Sequence, residues 1–385
     1  MEEHLKNLGL VAFVSVACLG LLRAVQAQPT EGANASATPR VELPAEIPCD
    51  KILSYDDVQG PVQSTATTAD APARRPPMDP ATRAMMATLR SHKPQIPMAP
   101  QLQYRTVDAP SAPSGSEFGN VASVAALPNG NVLVYQRNLD NELLEYDSSN
   151  RLIRSINPRI ASRPHGLRVD KTGNIWITDV ACHTVMKLDP TGKVVMTLGT
   201  KGKAGTWDES SGQHVFNQPT DVGFGPNGDI FVSTGHGGPD PRIVRFDRNG
   251  KFIKTWSLKH PDGSVADIHT MVVDSKGNVY AGDREVMKIY VYDSQGNHLR
   301  DMQMSNYVCG LFVDAKGRLW MTAGQEGMLM RLDWSGKTLE WTGKIGKGPN
   351  EYGEAHYLSI TPDMRTIYVA DTVDNRVMRL EASGH

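Results

Sequence analysis

From about residue 119 onward, apolar and polar positions fall into a unit that recurs along the chain. Each unit is an apolar segment, a D/P-x-x-G-N/D/R turn, an apolar strand, a short link, a strand ending in Asp, an S/T/N-x-G turn and a final strand. Residues 121–157 carry LPNGNVLVYQR, 165–199 carry VDKTGNIWITD, 220–257 carry FGPNGDIFVSTG, 269–303 carry VDSKGNVYAGDR and 308–343 carry VDAKGRLWMTAG. The last copy, 357–382, carries ITPDMRTIYVADT and stops one strand short. Four short strands with glycine turns, repeating every 40–55 residues or so, are the pattern of propeller blades. Six copies, the last truncated, predict an all-β, six-bladed β-propeller in which a strand from about 103–118 completes blade six. One blade cannot cover both of its faces, so neighbours must stack around the ring.

Composition agrees with a turn-rich β protein: 35 glycines and 25 prolines in 385 residues exceed average usage. With 40 Lys+Arg against 42 Asp+Glu, the formal charge is −2, which offers no general attraction to nucleic acid or anionic lipid. At the N-terminus an apolar run, Leu8 to Leu22, precedes Arg23 and Ala24-Val25-Gln26-Ala27. This reads as a signal peptide over 1–27, although Glu2 and Glu3 make its first residues less basic than usual. A secreted or periplasmic protein follows, with no membrane association beyond that segment. Residues 28–102 are rich in Pro, Ala, Thr and Ser and read as a largely irregular linker or low-complexity stalk, with one short helix around Pro80–Ser91. The propeller is expected over 103–385. Without Cys18, the cysteines are Cys49, Cys182 and Cys309, an odd count that points away from covalent staples as the basis of the fold.

The blades supply an internal coordinate. Counting eight residues back from the first-turn glycines Gly130, Gly173, Gly228, Gly277 and Gly317 reaches Ala122, His165, Thr220, His269 and Cys309. Blade six, whose turn is one residue longer, has His356 at the matching position. Blades two, four and six therefore start their innermost strands with histidine. Three neutral imidazoles facing one axis describe a zinc site with an open position, with Cys309 at hand as a spare soft ligand. Fifteen residues past the ring position stand Arg137 in blade one and Arg284 in blade four, opposed across one mouth and suited to gripping a carboxylate. His236, in the blade-three link STGHGG, can reach the same region as an acid or base.

With these residues in place, the ring over about 119–382 resembles the peptidyl-α-hydroxyglycine α-amidating lyases, a branch of the NHL-type β-propellers. The resemblance is strongest in PHGLRVDKTGNIWITDVACHTVMKLDP, QHVFNQPTDVGFGPNGDIFVSTG, RIVRFDRNGKFIKTW and GDRE. It implies catalytic zinc on His165, His269 and His356, and active-site arginines at Arg137 and Arg284. It also implies a calcium site using the backbone carbonyls of Val124 and Leu167 plus an aspartate after the third histidine, where this chain has Tyr357. The family's catalytic tyrosine is replaced by His236, and two family cysteines by Asn217 and Gly237. The copper monooxygenase often fused to the animal lyase has no counterpart in these residues, which leaves a place for a separate hydroxylating enzyme as a partner.

The implied reaction splits a small-molecule or peptide carbinolamide, of N-acyl-α-hydroxyglycine type, into an amide and glyoxylate. Two other functions fit the same residues. A secreted metal-dependent lactone or ester hydrolase would use zinc to activate water, and a non-enzymatic NHL module would bind a partner across one face.

Overall fold

In a computed structural model, the described residues are Cys49 and 93–383, apart from 139–140, 157–158, 237–239 and 259–265. The signal segment, the helix expected around Pro80–Ser91 and most of the linker lie outside them. The described residues form six four-stranded antiparallel sheets in a ring. Their innermost strands are Val121–Ala126, Pro164–Val169, Pro219–Phe224, Ile268–Val273, Gly310–Val313 and Ala355–Ile360.

Alternation along each strand explains the ring. In the second strand of blade two, Ile175–Asp179, the side chains of Ile175 and Ile177 join Leu133 and Leu143 of blade one. Trp176, between them, faces the other way and packs with Val222 and Ile230 of blade three. Successive side chains of a strand point to opposite faces, so a blade covered on both sides needs a continuous apolar run. Six apolar clusters result, one between each pair of neighbouring blades.

The ring closes as the repeat count requires. Tyr104–Val107 pairs antiparallel with Arg376–Ala382 as the outermost strand of blade six, Tyr104 opposite Ala382 and Val107 opposite Arg379. First-turn glycines take the left-handed backbone that the turn demands, Gly173 at φ 83° for example. In the longer turn of blade six, Met364 accepts that conformation at φ 66°.

Two parts of the expected linker adhere to the ring. Leu102 is buried beside blade five and its N–H donates to the Trp341 carbonyl at 2.8 Å. Cys49 forms a disulfide with Cys182, so the odd cysteine count still leaves room for one covalent link, which ties a residue outside the repeats to blade two. The odd count arises because Cys309 alone is drawn to the axis, where it is buried and free.

Since Trp176 fills the boundary between blades two and three, Trp176→Ala should cost about 3–5 kcal/mol in urea unfolding.

Candidate metal centre

A local irregularity turns the histidines inward. In blade four, Ile268 pairs with Asp283 and Thr270 with Gly282, so His269 is an extra residue with no partner opposite. The same slip falls at the ring position in blades one, two, three and six, between Val121/Ser123, Pro164/Leu167, Pro219/Asp221 and Ala355/Leu358. Such bulges bend the strand and re-aim a side chain.

The three imidazoles are then fixed by the next blade. Nδ1 of His165 donates to the Thr220 carbonyl at 2.9 Å, His269 to that of Cys309 at 2.6 Å, and His356 to that of Ala122 at 2.6 Å. Each acceptor is the ring-position residue of the following blade. A carbonyl only accepts, so each Nδ1 carries the proton and each Nε2 keeps its lone pair. Ring centroids of the trio lie 4.7, 5.1 and 4.9 Å apart, and all three rings are buried. Burial above all, then neighbouring imidazole and guanidinium charges, keeps His165 and His269 well below the usual imidazole range. Burial, followed by Arg137 and Arg284, brings His356 down to about 3.

Two of these lone pairs, on Nε2 of His165 and of His269, face each other at 3.3 Å. With both nitrogens unprotonated that approach is repulsive unless a cation sits between them, so this donor set fits zinc. The ligand atoms form two overlapping triplets, His165/His236/His269 and His269/Cys309/His356, with the atoms of each within 4.8 Å of one another. Burial above all pushes the Cys309 thiol well up.

His236 comes closer than its place on a link suggested. Its ring lies 4.7 Å from His165 and 5.1 Å from His269. Burial, then the charges of Arg284, Arg163 and Arg137, holds it well below the usual imidazole range. Arg284 is almost fully buried, donates to Asp267 at 2.7 Å, and leaves its Nε without a partner among the described residues. Arg137 donates through Nε to the Pro164 carbonyl at 3.1 Å. The expected arginines thus reach the site, and the structure adds a group that the count missed. Arg163, Asp267 and Glu354 each stand two residues before a ring histidine, so the blade register that found the histidines also holds this layer.

Calcium does not fit on the other side. Tyr357 has no carboxylate, and its hydroxyl donates to the His269 carbonyl at 2.8 Å. Nearby, Arg168 forms a two-point ion pair with buried Asp221 at 2.8 and 2.6 Å. It also donates to the Leu311 carbonyl, across the ring on blade five, at 2.8 Å. Leu311 stands two residues beyond its ring position, the register of Val124 and Leu167. A permanent guanidinium charge therefore occupies this layer, 5.2 Å from the Tyr357 ring centroid.

These features define a six-bladed propeller with an imidazole cluster on its axis. No family model matches the chain. It is 40% identical to the peptidylglycine alpha-amidating monooxygenase of Rattus norvegicus over 263 residues, 62% of this chain and 26% of the relative. The peptidyl-alpha-hydroxyglycine alpha-amidating lyase 1 of Drosophila melanogaster is 31% identical over 206 residues, 50% of this chain and 35% of its own. NHL repeat-containing protein 3 of Homo sapiens is 31% identical over 177 residues, 43% and 49% of the two chains. The chain resembles amidating lyases and NHL-repeat proteins, and spans between a quarter and a half of these relatives' lengths. A streptogramin B lyase structure superposes with a TM-score of 0.51 at 14% identity, covering 69% of this chain and 95% of that one; this likeness concerns the fold alone.

Breaking the buried Arg168 pair should be costly while calcium should be irrelevant. Arg168→Met is expected to lose about 3–5 kcal/mol, because Asp221 keeps an uncompensated charge. Thermal unfolding of the unaltered protein should show the same midpoint in EGTA and in calcium.

Proposed function

We propose that the protein is a zinc-dependent carbon–nitrogen lyase acting on an N-acyl-α-hydroxyglycine-type carbinolamide. The observation that carries this reading is the trio of tautomer-locked, buried imidazoles, two of which, His165 and His269, face each other through Nε2 at 3.3 Å. His165, His269 and His356 would hold the zinc, which supplies Lewis acidity toward a substrate hydroxyl.

The surrounding residues suit the rest of the substrate. Arg137 and Arg284 receive its carboxylate, with Arg163 adding to the positive field that favours an anion at this mouth. His236, neutral in this environment, accepts the hydroxyl proton. As the hydroxyl oxygen becomes the carbonyl of glyoxylate, the C–N bond breaks and its electron pair stays on nitrogen. His236 returns the proton there, giving the amide. The chain balances without an oxidant or a hydrolytic water. Asp267 holds Arg284 in place and shares its charge, so the substrate meets a positioned donor.

Purified protein should contain about one zinc per chain and release glyoxylate from α-hydroxyhippurate. His165→Ala should abolish both zinc content and turnover, measured by metal analysis and a glyoxylate assay. Arg137→Gln should keep the zinc and lower kcat/KM on the order of tenfold to a hundredfold, the loss of one charge-assisted hydrogen bond. A zinc-free protein with full turnover would overturn the reading.

A further inference from the structure

We propose that His236 is a fourth ligand of the axial centre, closing it at rest, and that a chelating anionic hydroxy compound opens it by displacing this imidazole. The proposal rests on the zinc reading above and specifies how that site is kept shut.

The four imidazoles are held in two different ways. His165, His269 and His356 sit on inner strands, each aimed by a bulge and tied through Nδ1 to a carbonyl. His236 sits on the link that follows Ile230–Thr234, and neither of its ring nitrogens has a hydrogen-bond partner among the described residues. Yet its donor atom lies within 4.8 Å of those of His165 and His269. A partly exposed imidazole brought to two buried ones without a partner of its own is placed as a ligand would be. The link can set this position because Gly235 takes φ +104°, and a Cβ there would come within 2.6 Å of Pro241.

Closed four-ligand zinc sites are structural, whereas catalytic ones keep a position open. Three fixed ligands and one on a link meet both demands in turn. Cys309 is the competing fourth ligand, since its sulfur lies with His269 and His356. It is fully buried on an inner strand, however, whereas His236 is partly exposed and lies on a link. Once displaced, the His236 imidazole is free to accept the hydroxyl proton of the compound that displaced it.

Cobalt(II) loaded into the full chain reports its ligands through visible d–d bands, and azide is a small anion that competes for an open position. His236→Phe, which keeps the ring volume, and His236→Ala should both change the bands and lower cobalt affinity about tenfold or more. Both should also bind azide at concentrations at least about tenfold below those the unaltered chain requires. Cys309→Ser should match the unaltered chain. If both His236 variants keep its spectrum and azide midpoint, or if only Cys309→Ser changes them, His236 is not a ligand and the zinc reading stands. If the unaltered chain takes up no cobalt, the zinc reading falls and this inference with it.

Discussion

Everything at the axis depends on three hydrogen bonds that cross blade boundaries, from Nδ1 of His165, His269 and His356 to the carbonyls of Thr220, Cys309 and Ala122. Each satisfies a carbonyl at the ring position of the neighbouring blade. Each also decides where the proton sits on its imidazole. Blade packing and ligand chemistry are therefore set by the same bond. Exchanging any of these acceptors for a donor would undo both at once. In a buried environment, lone pairs facing each other at 3.3 Å are costly to leave uncompensated.

Charge is arranged in layers along the channel. On one side of the imidazoles stand Arg163, Asp267 and Glu354, joined by Arg137 and Arg284. On the other, Tyr357, Asp221 and Arg168 form a network reaching from blade two to blade five. Asp221 accepts from Arg168, from the Thr270 hydroxyl and from the Met271 N–H, which joins three blades through one carboxylate. This network takes over the bracing that a bound ion could otherwise provide. A carboxylate so fully engaged has no capacity left for a metal.

Much of this was legible in the sequence, and the reasons are specific. Glycine at the first turn of blades one to five fixes an eight-residue count, which placed His165 and His269 without coordinates. Blade six was still countable because its one extra residue could be recognised in TPDMRT. The same register would have found Arg163, Asp267 and Glu354, but the count stopped at the histidines. His236 was harder: it sits on a link, where no repeat defines depth, so its ring-to-ring approach to His165 could not be counted. Arg168 was hidden for another reason. Its role depends on reaching across the ring to Leu311, and sequence spacing gives no information about opposite blades. The Cys49–Cys182 bond joins residues 133 apart, one of them outside the repeats altogether.

The Arg168–Asp221–Tyr357 network also lays a cross-braced floor beneath the imidazoles. The bonds from Arg168 to Leu311 and from Tyr357 to His269 cross the bore below the imidazoles. On the proposed reading, a long substrate would present its tip to the imidazoles from the side of Arg137 and Arg284.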